Sequence, residues 1–326
     1  MLDLLRQEQV DPSLIEGVIQ YRNQFSGSEK TACTKSGASG ADTDASEPLG
    51  AVPDAENQPP RFFYYGKEVW NEALSALLCG QNLLLVGSKA TGKNVLCENL
   101  AAVFGRPSWN LSFHINMDAS YMIGTDTFQN GRVEFRPGPV YRAAKAGGFC
   151  ILDEINMARN EALAVLHSVL DFRHMIEVPG YERIAIHPAA RFIATMNYGY
   201  AGTRELNEAL LSRFAVIRMP DITEENLIKL LHREFPDLRP EYEKQFAGIF
   251  MDIEKKYQNG EIGSSLLDLR GLIDAIGLIR LGLSPRAAFD MGITNKSFES
   301  FEQNLLRDIL YTRISDKADK TDIFTS

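Results

Sequence analysis

Short apolar runs alternate with helical spacing along the middle of the chain. The runs predict four β-strands, at residues 82–86, 149–152, 191–196 and 215–219. A helical pattern over residues 67–78 precedes the first run. Strands that alternate with helices are typical of a parallel sheet with helices packed on its faces. We therefore predict an α/β core over residues 61–220.

The pattern becomes wholly helical after Pro220. Apolar residues recur with a spacing near 3.6 in four segments, at residues 224–234, 240–257, 266–281 and 298–313. Amphipathic helices of this length are stabilised mainly by burying their apolar faces against one another. We predict a small all-helical domain over residues 221–326.

The first 60 residues fall into two parts of different composition. Residues 1–24 carry apolar positions spaced as in one or two short amphipathic helices. Residues 25–60 are rich in Gly, Ser, Ala, Asp, Thr and Pro and have few large apolar side chains, which predicts a flexible linker. We therefore expect the N-terminal helices to be an appendage tethered to the core.

Composition and charge limit the classes of partner and of site that we expect for this chain. The chain of 326 residues has 34 basic and 43 acidic side chains, a net charge of −9, which argues against a broad nucleic-acid or anionic membrane surface. The cysteines are dispersed and form no C-x-x-C pair, so neither a disulfide framework nor a zinc site is indicated. Neither a signal peptide nor a membrane-spanning run is visible, and we expect a cytoplasmic protein.

One segment carries a phosphate-binding pattern, which reads NLLLVGSKATGKNVL from residue 82. Glycines at 87 and 92 let the loop bend, so that backbone N–H groups and the next helix N-terminus converge on phosphates, while Lys93 adds a positive charge. We predict ATP or GTP binding by this segment, through Gly87, Ser88, Ala90, Thr91, Gly92, Lys93, Asn94 and Val95. A glycine-rich turn without a ligand is the alternative.

Asn94 departs from the pattern, which calls for a Ser or Thr hydroxyl on Mg²⁺ at this position. An amide oxygen is also a ligand for a hard cation. We predict that Asn94 still serves Mg²⁺, directly or through water, and that the departure affects metal geometry and hydrolysis more than nucleotide binding.

Polar residues follow two later strands. The run GGFCILDEIN ends in Asp153 and Glu154, and RFIATMN ends in Asn197. A carboxylate at the end of a strand beside a phosphate loop suits Mg²⁺, and a second one suits activation of water. We assign Asp153 to the metal, Glu154 to the water, and Asn197 to orienting water and phosphate. Each of these residues is alternatively a cap of a turn or helix.

Five motifs, taken together, resemble those of an AAA+ ATPase of the MoxR type, in the dynein-related, CbbQ/NorQ-like subgroup. They are GSKATGKN, ILDEIN, IATMN, AGTRELNEALLSRF and SLLDLRGL, in the expected order. The resemblance implies a P-loop AAA+ core followed by a helical lid, with ATP and Mg²⁺ as ligands. It implies that Lys93 grips the β and γ phosphates and that Asn197 is the first sensor.

The same resemblance gives roles to three arginines. Arg213 is implied to be the finger that reaches the adjacent subunit's nucleotide, Arg204 to be a second trans-acting arginine, and Arg270 to be the second sensor. An ordinary surface ion pair is the alternative for each of them.

The resemblance also implies a ring, expected to be a hexamer, that works as a remodelling chaperone on a partner protein, often beside one with a von Willebrand factor A domain. It places two insertions toward the substrate, over residues 111–140 and 175–186, each with a hairpin signal. Covering the sheet edges is the alternative for these insertions. Two other functions stay open. One is a nucleic-acid motor similar to the restriction GTPases, and the other is a nucleotide-gated scaffold with little hydrolysis.

Overall fold

The structure, a computed structural model, describes residues 1–26, 59–129, 131–177, 183–197, 204–315 and 317–325. Most of the predicted linker, residues 25–60, lies outside these ranges, as do Pro179 and Gly180, the turn signal of the hairpin predicted over residues 175–186. Contacts divide the chain into two compact units. The first comprises Met1–Gly87 and Lys93–Met219, and the second comprises Ser88–Gly92 and Pro220–Ser326.

A five-stranded sheet forms the centre of the first unit, and all its neighbouring strands run parallel. In spatial order the strands are β2 (Ser108–Ser112), β5 (Phe149–Asp153), β8 (Arg191–Met196), β1 (Asn82–Val86) and β9 (Phe214–Arg218). The predicted α/β class with a parallel sheet is confirmed. The edge strand β2 was not predicted, since its sequence SWNLS has one aliphatic residue and no long apolar run.

Both faces of the sheet are covered, because alternate residues of β1 enter two different hydrophobic clusters. Leu83 and Leu85 join one cluster, while Leu84 and Val86 join the other. A strand buried on both faces reads as a continuous apolar run, as β1 does. The helices of this unit are α1 (Leu2–Gln7), α2 (Pro12–Phe25), α3 (Lys67–Leu78), α4 (Lys93–Phe104), α5 (Ala119–Ile123), α6 (Pro139–Ala146), α7 (Asn160–Leu163), α8 (Leu166–Leu170) and α9 (Glu208–Leu211).

The N-terminal helices α1 and α2 belong to the core rather than to an appendage, which corrects the expectation from sequence. Leu5 and Val18 are fully buried in the cluster that contains α3 and α4. The Tyr21 hydroxyl donates a hydrogen bond of 2.5 Å to the Ala189 carbonyl, and Arg22 Nε donates one of 2.7 Å to the Val103 carbonyl at the end of α4. Composition alone did not show that the predicted linker joins two parts of one core.

Two hairpins interrupt the α/β pattern, as predicted. The first pairs β3 (Gly124–Gln129) with β4 (Arg132–Pro137) in antiparallel register, and Phe128 faces Val133 across the strands. The second pairs β6 (Met175–Ile176) with β7 (Ile184–Ala185). The side chains of Phe128 and Val133 are 74% and 63% exposed, so the first hairpin presents an apolar pair to solvent.

Helices make up the second unit from Pro220 onward: α10 (Glu224–Glu234), α11 (Pro240–Gln258), α12 (Leu269–Arg280), α13 (Pro285–Gly292), α14 (Ser300–Arg313) and α15 (Lys320–Ile323). The helices α13 and α15 were not predicted. A Cβ added to Gly271 of α12 would lie 2.2 Å from the Gly292 carbonyl oxygen, and one added to Gly292 would lie 2.4 Å from the Gly271 oxygen. The two helices therefore cross backbone to backbone at this pair.

None of the helices in the described ranges combines the length and the apolar character needed to cross a membrane.

Candidate nucleotide site

Strand order brings the predicted residues to one edge of the sheet. The strands β5, β8 and β1 are neighbours, and Asp153, Asn197 and Gly87 lie at or just beyond their carboxyl ends. The Gly87 N–H donates to the Met196 carbonyl at 3.2 Å, which joins the start of the loop to the end of β8. In open parallel sheets this edge is where ligands bind. The structure therefore places Gly87, the residue that starts the phosphate loop, beside the predicted acidic and amide side chains.

The loop after β1 has the backbone that its glycines predict. Gly92 has a φ of +80°, and Ala90 has a φ of +63°, which is uncommon for a residue with a side chain. The Thr91 hydroxyl donates to the Ser88 carbonyl at 3.0 Å, so the loop is braced from within. Residues Ser88–Gly92 are grouped with the second unit, where the Ser88 hydroxyl donates to Asp221 at 2.7 Å.

Lys93 is held at the first turn of α4 and is only 8% exposed. Its ammonium group donates to the Gly87 carbonyl at 3.1 Å. Burial lowers the pKa of Lys93 to about 8, and the opposing pull of Asp153 and Glu154 does not cancel this effect. A buried ammonium group is suited to bind an incoming anion such as a phosphate group.

Asp153 receives a hydrogen bond on each carboxylate oxygen. Asn94 Nδ2 donates to Oδ2 at 3.0 Å, and the Thr195 hydroxyl donates to Oδ1 at 2.5 Å. Asn94 therefore contacts the acidic residue assigned to the metal, although it lacks the hydroxyl that the pattern calls for. Both donors are neutral, so neither of them adds a positive charge beside the carboxylate.

Glu154 takes the left-handed backbone conformation, with φ +55° and ψ +45°. Its N–H donates to the Thr195 hydroxyl oxygen at 3.0 Å, and its side chain accepts a hydrogen bond of 3.0 Å from Asn197 Nδ2. The carboxylate assigned to water is thus held by the amide assigned as the first sensor. This contact places Asn197 next to the group that would polarise the attacking water.

The donor set at this edge fits Mg²⁺. Asp153 offers a carboxylate and Asn94 an amide, and oxygen ligands of these kinds are those that Mg²⁺ prefers. Within the described ranges there is no cluster of three or more His, Cys, Asp or Glu side chains able to hold a metal ion. Mg²⁺ is usually held by one or two carboxylates together with substrate phosphates rather than by a full protein cage. The residues therefore fit a metal that arrives with a nucleotide.

Arg213 lies at the other edge of the sheet. It directly precedes Phe214, which pairs with Asn82, the first residue of β1. Arg213 Nε donates to the His167 carbonyl at 3.2 Å, and Nη1 donates to the Ala209 carbonyl. β1 alone spans about 13 Å between its first and last Cα atoms, at roughly 3.3 Å per residue, so Arg213 is remote from the phosphate loop of its own chain.

The other two arginines are exposed. Arg204 lies before α9, its N–H donates to the Asn156 carbonyl at 3.0 Å, and it lines a cleft of about 610 Å³ together with Arg159 and Glu161. The short helix α9, Glu208–Leu211, lies between Arg204 and Arg213. Arg270 lies in the first turn of α12. The second-sensor role of Arg270 and the trans-acting role of Arg204 stay predictions.

Sequence reasoning missed two buried residues of the site. Thr195 is 1% exposed and contacts both acidic residues, and Asn156 is 3% exposed. Asn156 Nδ2 donates to the Asn197 carbonyl at 2.8 Å, so it supports the backbone of the residue that was assigned as the first sensor. A signal was present for Thr195, which is a neutral polar residue within an otherwise apolar strand.

These features define a P-loop protein built to bind a nucleotide at the carboxyl edge of a parallel sheet. A family profile described as the AAA domain of the dynein-related subfamily matches residues 82–214. The Bacillus subtilis (strain 168) protein YojN is 35% identical over 246 residues, which are 74% of this chain and 81% of YojN. The chain belongs to this AAA ATPase family.

Other comparisons add relatives without adding an activity. The Staphylococcus haemolyticus protein SH1500 is 30% identical over 251 residues, which are 75% of this chain and 95% of SH1500. Both relatives bear the description "uncharacterized protein". A crystal structure of a Cytophaga hutchinsonii protein aligns over 92% of this chain and 88% of its own, with 14% identity and a TM-score of 0.43. A likeness at that level carries no argument about function.

Proposed function

We propose that this chain hydrolyses ATP with Mg²⁺ and acts as a ring-forming remodelling ATPase of the MoxR type on a partner protein. One observation carries the hydrolysis: the Glu154 carboxylate is held at 3.0 Å by the Asn197 amide, beside Asp153 and the lysine of the phosphate loop. This is the arrangement needed to orient a water molecule against a terminal phosphate.

Each residue then has a separate task. Lys93 neutralises charge on the β and γ phosphates, and its burial removes competing water. Asp153 and Asn94 would hold Mg²⁺ directly or through its water shell, and the bound metal would supply charge stabilisation to the transferred phosphoryl group. The Glu154 carboxylate accepts a hydrogen bond from the attacking water, and the hydrogen bond from Asn197 holds that carboxylate in position.

The position of Arg213 supports a shared site between copies. Because Arg213 is at the amino edge of the sheet and the phosphate loop is at the carboxyl edge, this arginine is poorly placed to act on its own chain's nucleotide. A contact that joins one edge of a subunit to the other edge of its neighbour is heterologous, and such contacts close into rings when the rotation allows. We expect a hexamer from the family resemblance.

The partner is proposed to be a protein. The net charge of −9 disfavours nucleic acid, and the exposed Phe128 and Val133 pair offers an apolar contact on the β3–β4 hairpin. A partner with a von Willebrand factor A domain is proposed from the resemblance alone.

One observation favours a second candidate, a nucleotide-gated switch with little turnover. Asn94 stands where the phosphate-loop pattern has Ser or Thr, and its side-chain amide donates a hydrogen bond to Asp153. An amide that holds the metal ligand in this way would permit nucleotide binding with a poorly tuned metal.

The test is phosphate release from Mg·ATP as a function of protein concentration, with GTP run in parallel. Wild type, Glu154→Gln and Arg213→Ala are compared, with the exposed Arg286→Ala as the matched control. We expect turnover per subunit to rise with concentration, to be lost in Glu154→Gln and to fall on the order of a thousandfold in Arg213→Ala. Bound ATP without turnover in wild type would select the switch. Full turnover in an assembled Arg213→Ala variant would refute the shared site.

A further inference from the structure

Thr195 carries a buried hydroxyl group in a strand whose neighbouring residues are apolar, so packing alone does not explain a polar residue there. It lies in β8, whose other residues from Phe192 to Met196 are apolar, and it is 1% exposed. An apolar residue of the same shape would suit such a strand better unless the hydroxyl has partners. Thr195 has two partners, and both belong to the acidic pair at the end of β5.

The hydroxyl uses its donor and an acceptor lone pair on adjacent residues of the site. It donates to Asp153 Oδ1 at 2.5 Å, and it accepts the Glu154 N–H at 3.0 Å. A Thr hydroxyl has one hydrogen to give, so this hydrogen is committed to the Asp153 carboxylate. The Thr195 hydroxyl oxygen therefore fixes both the Asp153 carboxylate, which is assigned to the metal, and the main chain of Glu154, whose side chain is assigned to the water.

The backbone that it fixes is an unusual one. Glu154 has a φ of +55°, in the left-handed region that residues with a side chain rarely adopt. Such a conformation persists where surrounding contacts determine it, and the Glu154 N–H accepted by Thr195 is one of these contacts. The left-handed turn sets the direction in which the Glu154 side chain leaves the main chain, toward Asn197.

The Asp153 side chain is oriented from both sides. Thr195 holds Oδ1, and Asn94 Nδ2 holds Oδ2 at 3.0 Å. Two donors on the two oxygens of one carboxylate fix the plane of that group. Groups that orient a metal ligand in this way commonly change metal affinity or activity by 10–100-fold when they are removed.

We propose that Thr195 is a positioning residue for the hydrolysis site: its hydroxyl presents Asp153 to Mg²⁺ and holds the turn that aims Glu154 at the attacking water. The inference rests on the proposed function. It goes beyond that function in assigning one side chain of β8 to coupling the metal ligand and the water-activating carboxylate.

The experiment compares Thr195→Val, which keeps the shape and removes the hydroxyl, with Thr195→Ser, which keeps the hydroxyl. The matched control is Thr294→Val, because Thr294 is fully buried and its hydroxyl has no hydrogen-bond partner within the described residues. Turnover of Mg·ATP and the Mg²⁺ concentration that half-saturates ATP-induced thermal stabilisation are both measured. The second readout needs no hydrolysis.

For Thr195→Val we expect kcat to fall by about 10–100-fold and the Mg²⁺ midpoint to rise roughly tenfold. The KM for ATP and ATP binding in the presence of a chelator should stay within about threefold, because Lys93 and the loop are untouched. Thr195→Ser should recover most of both losses. Thr294→Val should behave as wild type in turnover and in the Mg²⁺ midpoint.

Three results would overturn the proposal. In the first, Thr195→Val keeps both wild-type turnover and the wild-type Mg²⁺ midpoint. In the second, Thr195→Ser is as impaired as Thr195→Val, which would show that the hydroxyl is not the cause. In the third, binding with a chelator weakens as much as binding with Mg²⁺, which a merely structural role would produce. If Thr195→Val does not fold, Thr195→Ala replaces it in the same comparison with Thr195→Ser.

Failure of the proposed function is separately visible. A wild type that binds Mg·ATP without releasing phosphate refutes the hydrolysis, and the Mg²⁺ midpoint of the variants still decides the role of Thr195. A wild type that binds no Mg·ATP refutes the proposed function and the inference together.

Discussion

Replacement of Lys93 by Met should stabilise the nucleotide-free protein near neutral pH. Lys93 is 8% exposed, and burial lowers its pKa from 10.5 to about 8 despite Asp153 and Glu154. A lowered lysine pKa means that the folded state binds this proton less tightly than the unfolded state. The charge therefore destabilises the fold as the pH falls below 10.5, and it does so by the full amount below about 8. Methionine is an unbranched apolar chain of similar length that removes the charge.

The size of this stabilisation follows from the shift in the Lys93 pKa. At about pH 7 the buried charge costs roughly 3 kcal/mol, and at about pH 9.5 only about 1.4 kcal/mol, since the unfolded lysine is then closer to losing its proton. The lost hydrogen bond to the Gly87 carbonyl offsets about 1 kcal/mol at either pH. Lys93→Met should thus be about 2 kcal/mol more stable than wild type at about pH 7 and nearly equal to it at about pH 9.5.

The assay is urea unfolding followed by tryptophan fluorescence. The two tryptophans, Trp70 and Trp109, both lie in the first unit, as Lys93 does, so the signal reports the unit in which the charge is buried. The exposed Lys145→Met, in α6 of the same unit, serves as the control and should show no pH-dependent difference. A Lys93→Met variant that is less stable than wild type at about pH 7, or a stability difference that does not change with pH, would refute the reasoning.

Two further predictions concern the fold. Tyr21→Phe should lower the free energy of unfolding by about 1–3 kcal/mol in the same assay, because a buried carbonyl loses its donor, whereas Tyr121→Phe, at an exposed position in the same unit, should change it little. An unaffected Tyr21→Phe variant would mean that the N-terminal helices add little to the core. Gly147→Ala should lower the melting temperature more than Gly260→Ala, since both glycines have positive φ but only the first would bring a Cβ to 2.3 Å from His187 Nδ1. Equal losses in these two variants would contradict the predicted clash.

Sequence patterns predicted the elements that are buried on both faces or strongly amphipathic. β1 and β8 appear with the predicted bounds, as does α10, because their apolar periodicity is set by the core that they enter. The edge strand β2 was missed for the opposite reason, since its residues Ser108–Ser112 are mostly polar and only partly buried. The docking of α1 and α2 depends on contacts across long sequence separations that periodicity does not record.

The residues of the candidate site also divide into those that the sequence predicted and those that it did not. The placement of Lys93, Asp153 and Asn197 at one edge of the sheet was predictable, because each follows directly on a strand or on the loop after a strand; their roles stay predictions. The role proposed for Thr195 depends on β5 lying beside β8 in the sheet. The sequence predicts a parallel sheet but does not give the order of its strands. Arg213 was predicted from the family, and its remoteness from the phosphate loop emerges only from the strand register.

The crossing of α12 and α13 has a consequence for how this sequence changes over evolutionary time. At Gly271 and Gly292 the obstacle to a side chain is the carbonyl oxygen of the other helix, and that atom is present whatever residue occupies the position. No compensating pair of substitutions relieves such a clash, because mutation never removes main-chain atoms. Descendants that keep this crossing should therefore keep both glycines, and a lineage that loses one should be found to have separated the two helices.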